Sequence, residues 1–171
     1  MVAAFAAYFW FQEKEEEIAV GIFAKETFYA DPHSQAHQWV QEHLAENAIQ
    51  AALVNKISKV PSAIWFGEWN ENIASDIESI LKNAESQYAM PILVSYNMVN
   101  RDCGGYSAGG AENAEAYKQW IDGFSSGLKN HKAVVVLEPD ALSDLDCLSE
   151  EAKQERLELL RYAVNKMQQR N

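Results

Sequence analysis

Cysteine is nearly absent from these 171 residues. Cys103 and Cys147 are the whole supply, neither belongs to a CxxC pair, and His33, His37, His43 and His131 do not gather near them in sequence. This argues against a zinc site. Two cysteines can form one disulfide or remain free thiols, and composition leaves both open. Basic residues are also scarce: 14 stand against 25 acids, for a formal net charge of -11. Such a surface repels nucleic-acid phosphates and anionic lipid heads, so the expected partners are neutral or cationic and include neutral carbohydrate. The apolar stretch Met1 to Phe11 is too short to span a bilayer, and it lacks the basic start of a secretory signal. Repeats and low-complexity linkers are missing as well.

What is present suits one globular domain with a sizeable core, since hydrophobic residues make up 48% of the chain. Residues 1–27 read as a leader or extension of no catalytic role, or as the remnant of a truncated signal. Beyond them, short apolar runs alternate with helical periodicity. Ser34 to Ile57 reads as a helix capped by Ser34, with Trp39, Val40, Leu44 and Ala48 on one side. Ala63–Phe66, Pro91–Tyr96 and Ala133–Leu137 read as strands. Helices are expected over Asn72–Gln87, Asn113–Leu128 and Ser149–Gln168. Trp39 and Trp120 sit on helix stripes and are assigned to the core.

This rhythm means an α/β fold of parallel βαβ units, whose all-apolar strands suggest cover on both faces. Function in such folds collects at the carboxyl ends of strands. Three places follow: Phe66 to Asn70, Tyr96 to Gly110, and Glu138 to Asp146. Three strands are few for a parallel sheet, and the last helix leads into no further strand. The expectation is a fragment, or a sheet with part of its strands absent.

The second strand end carries Arg101 and Asp102, then four glycines among Gly104 to Gly110. This loop lets backbone approach a ligand closely. GxxxxGK[ST] does not occur, so it is no phosphate loop of that kind. The bland alternative for Asp102 is a surface ion pair with Arg101. At the third strand end, Glu138 and Asp140 would point to the same side if the chain stays extended, with Pro139 biasing Glu138 away from helix. The bland alternative there is a turn or helix start. Asp102 and Asp140 can face one pocket. Crowded, buried carboxyls hold protons longer, as a general acid for glycoside cleavage requires. Trp65, Trp69, Tyr96 and Tyr106 flank these strand ends and could stack on sugar faces, although Trp65 within an apolar strand could equally be core.

At these residues the chain resembles glycoside hydrolase family 6, the inverting cellulases. The resemblance runs from Phe28 to the C-terminus. It rests on Phe28-Tyr29-Ala30-Asp31-Pro32 with Ser34-Gln35-Ala36, and on Tyr96-Asn97 with Arg101-Asp102-Cys103-Gly104-Gly105 and the Ser107 glycine loop. Val135-Val136-Leu137-Glu138-Pro139-Asp140 completes the set. The resemblance implies Asp140 as general acid and Asp102 as the aspartate that raises its pKa and helps organise water. It implies that Tyr96 lies against a distorted sugar, that Ser107 sits in a loop positioning the water, and that Trp65 stacks on a glucosyl unit. It pairs Cys103 with Cys147, a closure worth about 4 kcal/mol in the chain-entropy model, and hence implies secretion.

It further implies a distorted, seven-stranded type of TIM-like barrel, here incomplete, with residues 28–171 as the N-terminal part of a catalytic domain. The substrate would be a β-1,4-glucan such as cellulose or cello-oligosaccharide, with no metal, no cofactor, no nucleic acid or membrane partner, and a monomeric state when complete. Endoglucanase action is favoured over cellobiohydrolase. Met98-Val99-Asn100 departs from the Ile-Pro-Gly type of turn common in relatives. The base and further tryptophan platforms are expected in the absent half, so little activity is expected of this polypeptide alone. A non-catalytic carbohydrate-binding role is the alternative, and a metabolite-binding α/β domain a more distant one.

Overall fold

A computed structural model describes residue 21, residues 23–143 and residues 145–169. The apolar run Met1 to Phe11 and the acids that follow it lie outside the described residues. Five α-helices and three strands occur among the described residues. In order they are α1 (Gln35–His43), α2 (Ala48–Ser58), β1 (Ile64–Phe66), α3 (Ile73–Ser86), β2 (Ile92–Ser95), α4 (Ala114–Leu128), β3 (Val134–Leu137) and α5 (Glu150–Gln168). A 3₁₀ turn at Asp102–Gly104 lies between β2 and α4.

Each helix begins where a Ser or Asn side chain accepts the N–H three residues on: Ser34, Asn47, Asn72, Asn113 and Ser149. These caps satisfy donors that the first helical turn leaves free. They also explain a difference from the sequence pattern. The single helix expected over Ser34 to Ile57 is two helices, because Asn47 folds its side chain onto the Gln50 N–H and starts a new one. The predicted stripe fails accordingly: Val40 is buried, but Leu44 and Ala48 are exposed. Trp39 is half-buried rather than core, and stacks on His43 with ring centroids 4.3 Å apart.

The strands form one parallel sheet in the order β1-β2-β3. Leu93 lies level with Ile64 and Val135, and Val94 with Trp65 and Val136. Side chains alternate across the pleat, so the first row faces the helices and the second faces away. Phe66 and Leu93 pack with Ile73, Ile77 and Leu81 of α3 and Phe124 and Leu128 of α4. A second cluster joins Tyr117 and Ile121 of α4 to Leu159 and Ala163 of α5 and to Met98 and Ala141 beyond the strands. Trp120 bridges the two clusters.

Burial on both faces holds for β2 alone. On the row facing away, Val94 is 2% exposed, but Trp65 is 48% and Val136 38% exposed. The outer strands of a three-stranded sheet each have one neighbour, so their side chains on this face lack lateral cover. Trp65 is therefore not a core residue.

The close crossing of α3 and α4 depends on Gly127. A β-carbon there would stand 2.7 Å from the Ala74 carbonyl oxygen and 2.9 Å from Ile77 Cβ. Backbone cannot yield as a flexible side chain would, so the helices would have to separate. Gly127→Ala is expected to cost about 2 kcal/mol through overpacking. Urea unfolding should show it as a lower midpoint with an unchanged slope.

Candidate active site

The chain reverses sharply at the exits of β2 and β3, and each reversal is held from inside. After β3 the backbone does not stay extended. Glu138 adopts φ 44, in the left-handed region that a bulky residue before proline seldom occupies. Its side chain turns into the core at 4% exposure, and Asp140 takes another path. The two carboxylates therefore do not share one side, contrary to the extended-chain expectation.

Glu138 is well supplied with donors. The Ser95 hydroxyl donates to Oε1 at 2.8 Å, the Asn97 N–H to both oxygens at 3.0 Å, and the Met98 N–H to Oε2 at 3.0 Å. Burial pushes its carboxyl above the ordinary value, against the pull of these hydrogen bonds. Tyr117, whose hydroxyl is buried without an aligned hydrogen bond, is raised by burial and by the nearby Glu138 charge. Glu138 thus locks the exit of β2 to that of β3.

That lock brings Tyr96 to Asp140. The Tyr96 hydroxyl donates to Asp140 Oδ2 at 2.8 Å. Ser107 lies near enough to the same phenol to draw its pKa down, and the Ser107 N–H donates to Asp102 Oδ2 at 2.6 Å. Burial and the Asp140 carboxylate raise the Tyr96 phenol, while Ser107 and the Arg101 charge pull it down. Asp140, Tyr96, Ser107 and Asp102 therefore form one polar run across two strand ends, hydrogen-bonded as the pairs Tyr96–Asp140 and Ser107–Asp102. Trp65 stands edge-on to Tyr96, with centroids 5.1 Å apart and planes at 86°. The half-exposed indoles of Trp65 and Trp69 flank this run.

Asp102 and Cys103 both have positive φ, 55 and 49. Cys103 is bonded to Cys147 across 44 residues, so the loop after β2 is tied to the segment after β3. Arg101 does not pair with Asp102. Its side chain is 6% exposed and forms a two-point ion pair with Glu68, which follows β1. Arg156 of α5 is buried too, donating to the carbonyls of Val99, Asn100 and Ala141. Spacing does not reveal Glu68 or Arg156 as anchors. Glu68 does fall at a strand end between two tryptophans, and Arg156 does lie on the apolar stripe of its helix, three residues before Leu159.

The Glu138 shift carries a pH dependence. An acid raised by folding is bound to its proton more tightly in the folded state, so its contribution is complete below pH 4.5 and is lost as pH rises through the folded value. Relative to Glu138→Gln, the native chain should lose unfolding free energy as pH climbs above 4.5. Chemical unfolding at a series of pH values checks the sign.

Several known proteins resemble this chain in sequence and fold. The chain is 41% identical over 139 residues to Endoglucanase 1 of Streptomyces halstedii, covering 80% of this chain and 43% of the relative. It is 40% identical over 124 residues to Endoglucanase A of Thermobispora bispora, covering 71% and 27%. The solved endoglucanase Cel6 of Mycobacterium tuberculosis, in complex with methyl-cellobiosyl-4-deoxy-4-thio-β-D-cellobioside, superposes with TM-score 0.79 at 33% identity, over 86% of this chain and 50% of that one. A mutant of the Humicola insolens cellobiohydrolase Cel6A shares the fold with TM-score 0.69 at 18% identity, over 83% and 45%. The chain thus spans half or less of the length of each of these relatives. The sequence model described as glycosyl hydrolases family 6 matches residues 23–171, through every strand and helix above, and to that family the chain belongs.

Proposed function

We propose that this chain carries the acid side of a site that hydrolyses β-1,4-glucosidic bonds in cellulose or related β-glucans with inversion. The observation that supports it is the run Asp140–Tyr96–Ser107–Asp102 at the carboxyl ends of β2 and β3. Protonated Asp140 gives its proton to the glycosidic oxygen as the bond from that oxygen to the anomeric carbon breaks. Water attacks the carbon from the opposite face and yields its proton to a base. Asp102 raises the proton affinity of the acid, and Ser107 helps hold the water. Tyr96, anchored on Asp140, supports the distorted ring, and Trp65 takes the flat face of a neighbouring glucosyl unit. The base is assigned to the part of the family domain outside the matched segment.

Under the same proposal, residues 28–171 form part of a catalytic domain built as a distorted β/α barrel, and the row Trp65–Val94–Val136 lines its inside. Residues 1–27 precede that domain. The protein acts outside the cell and cuts within chains, as the endoglucanase names of its relatives suggest. The alternative, a chain that binds cello-oligosaccharide without cleaving it, has the exposed Trp65 and Trp69 in its favour.

Calorimetric titration with cellotetraose, beside a reducing-sugar assay on carboxymethylcellulose, tests these readings. The 171 residues should bind cellotetraose. Trp65→Ala should weaken binding about tenfold, and Asp140→Asn should leave it nearly intact. Turnover should be very low. Turnover matching a full-length relative would overturn the assignment of the base, and failure to bind would remove the glycoside reading altogether.

A further inference from the structure

We propose that Glu68 is a positioning residue for this site: through Arg101 it sets the loop 101–110, and so the places of Asp102 and Ser107 against Tyr96. The proposal rests on the glycoside reading above for its functional meaning, and on the geometry of the loop neck for its substance.

Arg101 grips the loop from within. Its Nε donates to the Ser107 carbonyl at 2.7 Å, and its Nη1 to the Tyr96 carbonyl at 2.6 Å. The guanidinium lies 4.2 Å from the centroid of the Tyr96 ring and 5.8 Å from that of Trp69. One cation therefore holds the backbone of both Tyr96 and Ser107, one residue from each hydrogen-bonded pair of the run. A guanidinium this buried requires a counter-charge to stay where it is. Glu68 supplies it with both carboxylate oxygens, each 2.9 Å from a guanidinium nitrogen.

Glu68 touches the returning limb of the loop as well. Arg101 and Gly109 face each other as an antiparallel bridge, which defines the neck. The Gly109 backbone passes so near the carboxylate that a β-carbon there would collide with Glu68 Oε1. The backbone of Gly110 lies close enough to the same carboxylate to draw its pKa down. Burial draws Glu68 upward, but the bonds from Arg101 and the backbone outweigh it and hold the group below its usual value. The clamp thus keeps its charge to a lower pH than an ordinary glutamate would. Both oxygens of Glu68 accept from the arginine at the neck of the loop.

Three measurements on the full 171-residue chain test this: amide hydrogen exchange by NMR, cellotetraose titration and thermal unfolding. Glu68→Gln should leave the midpoint of unfolding within a few degrees. It should speed exchange at Ser107 and Gly110 about tenfold while Leu93 in β2 is unchanged. Cellotetraose affinity should fall about fivefold, because the site is less well organised before binding. Glu68→Asp, which restores the charge, should recover part of both losses. Loop amides that exchange at the native rate in Glu68→Gln would overturn the proposal. Uniform acceleration that includes Leu93 would also overturn it, marking Glu68 as a general stabiliser. A native chain that fails to bind cellotetraose would defeat the glycoside reading alone, since the exchange data still decide the role of Glu68.

Discussion

A buried carboxylate sets the geometry of this protein. Glu138 accepts the Ser95 hydroxyl and the amides of Asn97 and Met98, and so fixes the exit of β2 against that of β3. The lock comes at the cost of a left-handed backbone at Glu138 and of burial that opposes its ionisation. In a dry environment, several aligned donors offset such costs. The result is that Tyr96 and Asp140, 44 residues apart in sequence, meet at 2.8 Å.

Further anchors extend the lock outward. Arg101 satisfies backbone carbonyls after β2, and Arg156 satisfies carbonyls after both β2 and β3. Loops that run close to the core need such partners, because buried carbonyls without donors are costly. The Cys103–Cys147 bond adds a covalent tie beside Asp102. The site segments are thus irregular in backbone yet held on several sides, which suits a site that must keep its shape while presenting polar groups to a ligand. The aromatic flank is different in kind. Trp65 and Trp69 remain half exposed, and flat half-exposed indoles beside a polar run suit a ligand with apolar ring faces and hydroxyl edges.

Much of this was legible in the chain. The strand positions were right to within a residue or two, because buried parallel strands read as short apolar runs. The helix starts were legible where Ser or Asn precedes a periodic segment, as at Ser34, Asn72, Asn113 and Ser149. Asn47 was not, since an Asn inside a continuous helical pattern gives no sign that its side chain will fold back and cap a new helix. The residues of the candidate site were legible as motifs at strand ends. Their connections were not: Arg101 beside Asp102 suggests an ion pair, and the structure gives Arg101 to Glu68, 33 residues away.

The sequence by itself determined the parallel α/β order and the places where function gathers, because both follow from local periodicity and from strands that end in polar, glycine-rich segments. Family membership was legible there too, in the order of its motifs. Only the tertiary structure decided which carboxylate turns inward and which faces the site. Glu138 and Asp140 are chemically alike and two residues apart, and a single backbone angle at Glu138 separates their fates. That angle is offset by donors on β2 and just beyond it, which lie next to it in space and far from it in sequence.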